Sequence, residues 1–330
     1  MKFTAVVLLI VCIGSMFGQM LSIDSIDATI GEEKIFLNTG AEPGDVGADF
    51  FNVHRDTMPI FYSTQVGPSN LLPDRAYSAA YTDDFDDSFW PGYVGSSKGI
   101  GDTLVNLFYV VNAVDTVDTA APSFHLSTCA GEFDQGMKSS PTAGSVNFIS
   151  IPTYDERWAN ASDLSEFGVT TVQEWHAVTQ TWLTVGVEVV SGDWSPDDPL
   201  QLSHVYRVSG ADIPAEIIFT TSTPGIIPST DTTYALHSDN VFGNQNIIML
   251  PFQTAYIDGI DDCASLEASI VATGADEILS VERWNSTTKT WQLVGSKLPI
   301  GVWSPNGELR PGMPYRIRVE SDSPVNWPLN

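Results

Sequence analysis

The side chains able to do chemistry are few and scattered. Five histidines stand at His54, His125, His176, His204 and His237, and no Cys/His cluster has zinc-site spacing. Phosphate-binding, dinucleotide-binding and His-Glu-x-x-His motifs are missing. The Gly-x-Ser-x-Gly string Gly95–Gly99 reads as a flexible loop, without the strand and helix that a nucleophile elbow needs. Carboxylates are too numerous to single out a glycosidase acid and its partner. The chain therefore reads as non-catalytic, with an unrecognised hydrolase as the weakest alternative.

Two acidic clusters carry the metal question. Asp83, Asp84, Asp86 and Asp87 form one, and Asp258, Asp261 and Asp262 the other. Both offer the hard oxygen ligands that Ca²⁺ takes, and neither has EF-hand spacing. Solvated acidic loops are the favoured reading, and Ca²⁺ is the one cofactor the sequence offers. Beside the first cluster, Phe89, Trp90 and Tyr93 place rings in a loop, where apolar faces can stack on sugars.

Charge and composition narrow the setting. Lys and Arg number 14 against 41 Asp and Glu, a net charge of −27 that argues against nucleic acid and anionic membranes. Apolar content of 43% with nine tryptophans argues against a disordered acidic chain. The start, Met1-Lys2 followed by the apolar run Ala5–Ile13 and small residues to Gly18, reads as a secretory signal over 1–18. Val11 stands where a lipobox needs a small residue, which argues against lipidation of Cys12. No later stretch has the length of a membrane helix. The expected location is secreted, extracellular or on the cell surface. Export permits a Cys129–Cys263 disulfide, but two buried free thiols are favoured.

An internal repeat sets the elements. At an offset of 109, Val172–Val208 matches Val281–Ile317 without gaps, with 14 identities. These include Trp175/Trp284, Trp182/Trp291, Trp194/Trp303, Tyr206/Tyr315 and Arg207/Arg316. Upstream, Asn147–Pro152 matches Asn246–Pro251, and Ala161-Ser-Asp-Leu164 approximates Ala264-Ser-Leu266. Each unit reads as a buried strand, a short helix and several strands. Asp262 is positioned to cap the helix, with Leu266 and Ile270 on one face. A six-residue separation predicts hairpins that set Trp284 opposite Trp291 and Trp175 opposite Trp182. Histidine roles differ between units, since His176 faces Asn285 in the alignment and His204 faces Met313.

Residues 19–136 lack this unit. The pieces Ala48–Asp56, Tyr81–Asp83, Asn106–Asp115 and Gly131–Asp134 resemble a fibronectin type III-like module of secreted bacterial proteins. The repeated unit is similar to one that follows such modules in surface and secreted proteins of environmental bacteria. That resemblance implies an extracellular multidomain context and no catalytic residues.

The expected fold is mainly β. It comprises a fibronectin III-like β-sandwich over 19–136 and two β-rich α+β modules over 137–222 and 223–330, each with one short helix. The expected function is a non-catalytic structural or adhesive protein of the cell surface or matrix. Its partners would be an unknown extracellular protein or polysaccharide, with self-association through the proline-free segment 19–30. The alternative is a carbohydrate-binding protein using loop aromatics.

Overall fold

A computed structural model describes residues 25–28, 35–38, 42–46, 48–56, 71–76, 80–83, 107–114, 125–126, 130–139, 144–153, 156–211, 213–214, 217–223, 233–238 and 244–328. They are mainly β, in antiparallel sheets. Among the described residues, no helix is long and apolar enough to cross a membrane. The chain divides into two compact units, 1–102 with 107–131, and 103–106 with 132–330.

In the first unit, β1 (Ser25–Ala28), β2 (Ile35–Asn38) and β5 (Ala80–Asp83) form a sheet in the order β1-β2-β5. A second group sets β3 (Phe50–Asp56) between β4 (Leu71–Ala76) and β6 (Leu107–Val114), with β7 (His125–Leu126) on β6. Phe51 and Val53 alternate into the interior from β3, as a period of two requires. Within the segment 19–30, expected as a donated strand, the described residues Ser25 to Ala28 lie opposite Asn38 to Ile35 at the edge of the β1-β2-β5 sheet.

Most of β8 (Ala130–Met137) belongs to the second unit, which holds two five-stranded sheets. The first contains β9 (Asn147–Ser150), β10 (Thr171–His176), β11 (Thr181–Val190), β12 (Asp193–Asp197) and β13 (Val205–Ser209), in the order β12-β11-β10-β13-β9. After β14 (Ile217–Thr223), which lies beside β8, and β15 (Tyr234–Leu236) comes the second sheet. It contains β16 (Gln245–Met249), β17 (Glu277–Asn285), β18 (Thr290–Lys297), β19 (Trp303–Asn306) and β20 (Pro314–Glu320). Its order, β19-β18-β17-β20-β16, is that of the first sheet strand for strand.

Local contacts recur at matching positions. Trp175 lies opposite Trp182, and Trp284 opposite Trp291. A bulge follows Val172 in one sheet and Val281 in the other. Tyr206 Oη accepts from the Gln201 amide and Tyr315 Oη from the Arg310 amide, both at 2.7 Å. His176 and Asn285, expected to differ in role, do the same work. His176 Nδ1 accepts the Thr179 amide at 3.2 Å, and Asn285 Oδ1 accepts the Thr288 amide at 2.9 Å. Both side chains close a turn that leaves backbone donors unpaired.

One face of each sheet is covered by a short helix. In the second sheet, α1 (Phe252–Ile257) is followed by α2 (Cys263–Val271). Asp262 Oδ1 accepts the Ser265 amide at 2.8 Å, and the Asp262 amide donates to Ser265 Oγ at 3.0 Å, a reciprocal cap. Leu266 and Ile270 are fully buried against this sheet. In the first sheet the corresponding segment, Ala161–Phe167, is a 3₁₀ helix that buries Ala161 and Leu164. The contact shifts the sequence alignment by one residue, pairing Ala161 with Cys263 rather than with Ala264. A Cβ on Gly186 would stand 2.3 Å from Ala161 Cβ, and one on the matching Gly295 would stand 2.6 Å from Cys263 Sγ. The chain thus needs glycine where helix meets hairpin.

Cys263 is a buried free thiol donating to the Gly307 carbonyl at 3.6 Å, and burial pushes it up to about 11. Cys129 lies outside the described residues. The C-terminal β21 (Val325–Trp327) pairs with β15, so the tail between Pro324 and Pro328 completes the fold from within.

Candidate functional site

The face of each twin sheet opposite its helix carries the hairpin tryptophan pair, Trp175 with Trp182 and Trp284 with Trp291. Strand alternation places Gln173, Trp175, Trp182 and Arg207 together on one sheet, and Glu282, Trp284, Trp291 and Arg316 on the other. The two faces meet within the second unit. Phe148 of β9 sits among the rings, 5.4 Å from Trp182 and 4.6 Å from both Trp284 and Trp291, centroid to centroid. These spacings suit tilted and edge-on aromatic contacts. Phe148 is buried, while the four tryptophans remain half-buried.

Beside these rings runs a groove of about 420 Å³. Its wall includes all four tryptophans, Phe148, Gln245, Lys289, Arg207 and Arg316, and no carboxylate. Each arginine stands over its own sheet's tryptophan, Arg207 at 5.8 Å from the Trp182 centroid and Arg316 at 4.9 Å from that of Trp291. Their other partners differ. Arg316 Nε donates to Glu282 Oε2 at 2.5 Å, whereas Arg207 Nη1 donates to the neutral Gln173 Oε1 at 3.1 Å.

The hairpins cross between sheets. Trp175 Nε1 and Gln180 Nε2 donate to the Gln245 carbonyl at 3.1 and 2.7 Å, and the Gln245 amide returns a bond to Gln180 Oε1 at 3.0 Å. In the opposite direction, Lys289 Nζ donates to Asn147 Oδ1 at 3.0 Å and to the Lys138 carbonyl. Burial, with repulsion from Lys138, pushes the Lys289 ammonium down to about 8. Trp284 Nε1, the counterpart of Trp175 Nε1, is buried without a partner among the described residues.

A smaller cavity of about 210 Å³ lies nearby, with His176, His204, Glu174 and Tyr234 on its wall. His204 Nδ1 is 2.5 Å from Glu174 Oε1, a pairing that fixes the imidazole. The wall's hydroxyls are engaged elsewhere, Tyr234 Oη with the Ser203 carbonyl and Thr233 Oγ1 with the Pro328 carbonyl.

The acidic residues Asp258, Asp261 and Asp262 serve helix α2. Asp258 Oδ2 accepts from Ser269 Oγ at 2.5 Å, Asp261 Oδ1 from Ser265 Oγ at 3.2 Å, and Asp262 Oδ2 from Asn306 Nδ2 at 2.7 Å. No group of three or more His, Cys, Asp or Glu positioned to hold an ion occurs among the described residues. Asp83 ends β5, opposite Ile35. Asp84, Asp86, Asp87 and the loop aromatics Phe89, Trp90 and Tyr93 lie outside the described residues. His54 and His125 belong to strands β3 and β7.

The groove itself was missed in the sequence. Its signal was present in the arginine that recurs with each tryptophan pair, Arg207 and Arg316, two strands along on the same face. Comparison of the chain with protein-family models, curated proteins and solved structures gives no match.

Proposed function

We propose that this chain is a non-catalytic, exported adhesive or structural protein of the cell surface or extracellular matrix. In this reading a fibronectin III-like module precedes two copies of one unit, which hold an extracellular ligand between their tryptophan faces. The observation that carries it is the groove, where matching residues of both sheets converge on one space of about 420 Å³. That size lies within the roughly 300–1,000 Å³ of small-molecule sites. The matching strand orders support a unit built twice, and the basic-then-apolar start supports export.

The ring-lined groove favours a saccharide as the ligand, because half-buried indoles offer flat apolar area beside polar donors. The test is tryptophan fluorescence of the full chain titrated with a panel of soluble oligosaccharides, in parallel with a reducing-end assay. Saturable quenching without new reducing ends supports the reading. New reducing ends, or a panel with no response, defeats it.

A further inference from the structure

We propose that the groove recognises a carboxylate-bearing sugar ring, a hexuronate, with Arg207 anchoring the carboxylate and Trp182 supporting the ring. This rests on the ligand-binding reading above and adds the chemical class.

Charge distribution is the first argument. The chain has nearly three acids for every base, 41 against 14, yet the groove wall carries Arg207, Arg316 and Lys289 without one carboxylate. Within a concave cleft with low-dielectric walls, clustered cations attract an anion more strongly than the same charges do on open surface. Elsewhere a net charge of −27 repels anions, so the groove is where a small acid can settle.

The second argument is the difference between the twins. At matching positions, Glu282 neutralises Arg316 at 2.5 Å, while Gln173 leaves the Arg207 charge uncompensated. Among the described residues Arg207 has no carboxylate within ion-pair distance, and its one side-chain bond is the 3.1 Å contact to Gln173. A guanidinium carries five donors in a planar fork, so most of its capacity is left for an incoming carboxylate. Lys289 adds a second half-buried cation whose described partners are the Asn147 side chain and the Lys138 carbonyl, both uncharged.

The third argument is shape. Arg207 stands 5.8 Å from the Trp182 ring centre, so an anion on the guanidinium lies beside a half-buried indole. A ligand joining a carboxylate to a saturated ring with an apolar face uses both groups together. A polyphosphate, with no apolar face, uses only one.

The experiment is calorimetric titration of the full chain with digalacturonic acid, its neutral methyl ester, long polygalacturonate and benzoate. Digalacturonic acid is expected to bind, and the ester about tenfold or more weaker, as loss of a charged bidentate contact implies. Gln173→Glu copies the twin sheet and supplies Arg207 with an internal partner. It should weaken digalacturonate about tenfold while leaving the melting temperature close to that of the parent. Arg316→Gln should weaken it less than Arg207→Gln does. Polygalacturonate binding as well as the disaccharide per site places the ring within a polymer, and disaccharide-only binding makes it a free sugar acid. Equal affinity for acid and ester, or indifference to Gln173→Glu, overturns the hexuronate while leaving a saccharide site. Benzoate binding equal to digalacturonate also overturns it. Silence toward every saccharide defeats both this inference and the reading beneath it.

Discussion

Gln180 and Lys289 occupy the same left-handed step of matching hairpins, at φ 52° and 56°, and each reaches across to the opening strand of the other sheet. One is neutral and the other charged. The Lys289 ammonium is held down to about 8 from an ordinary 10.5, first by burial and then by Lys138. Below the folded value both states carry the proton, and the folded state bears the whole cost of desolvating it. Between about 8 and 10.5 the unfolded chain binds a proton that the folded one does not, so stability rises with pH. Urea unfolding followed by tryptophan fluorescence should show this rise from pH 7 to 10, and Lys289→Gln should flatten it. Identical pH slopes for both proteins would refute the assignment.

Glu267 should govern stability on the acid side. Burial raises its carboxyl, but bonds from Lys297 Nζ at 2.6 Å, Trp303 Nε1 at 2.9 Å and the Ile278 amide at 3.3 Å outweigh that and hold it below its ordinary value. The stabilisation is present above the ordinary carboxylate value and disappears as pH falls through the lowered one. Glu267→Gln should cost about 1–3 kcal/mol at neutral pH. The gap from the parent should close near the foot of the acid transition. A gap that stays constant with pH would mean the charge is irrelevant.

Gly295→Ala should be costly. Its Cβ would meet Cys263 Sγ at 2.6 Å and the Pro305 carbonyl at 2.8 Å, and the backbone oxygen cannot swing aside. Overpacking of this kind costs about 1–3 kcal/mol. Gly136→Ala, with nothing within 4 Å of the new atom, serves as the comparison and should change thermal stability little. Equal melting temperatures for the two variants would contradict the close approach.

Trp327 closes the second core from the end of the chain. Its ring is fully buried, lies 6.1 Å from Tyr234 at 24°, and donates from Nε1 to Ser269 Oγ at 2.9 Å. Trp327→Ala should cost about 3–5 kcal/mol, and Trp327→Phe considerably less because most of the volume remains. Denaturant midpoints decide this, and a mild alanine variant would show that the tail merely rests on the surface. Trp291→Ala should cost less than Trp327→Ala, since Trp291 is only half-buried.

Much of this local structure was legible. A cap at Asp262, the helical pair Leu266 and Ile270, and the opposition of Trp284 to Trp291 all follow from interactions between near neighbours. Alternation in Tyr315, Ile317 and Val319 likewise announces which side of β20 is buried. What covers the other side is not a local property. Trp182 and Trp291 carry the same pattern whether they face solvent or each other's sheet, so the groove had no local signature. Histidine and asparagine look unlike, which concealed the shared turn-closing acceptor at His176 and Asn285. Neither Pro324 nor Pro328 can donate to a ladder, yet the three residues between them form a strand opposite Tyr234 to Leu236.

The crossed hairpins arrange the twin sheets like the halves of an isologous dimer, carried in one chain. A true homodimer must present identical walls on both sides of its axis. Two halves in one chain are free of that constraint, and these differ at the partners of the groove's arginines, Gln173 against Glu282, and at Gln180 against Lys289. Its two sides therefore differ in charge while remaining alike in shape. An elongated guest lying across it meets a polarity, a head and a tail, that no symmetric pair of the same sheets can offer.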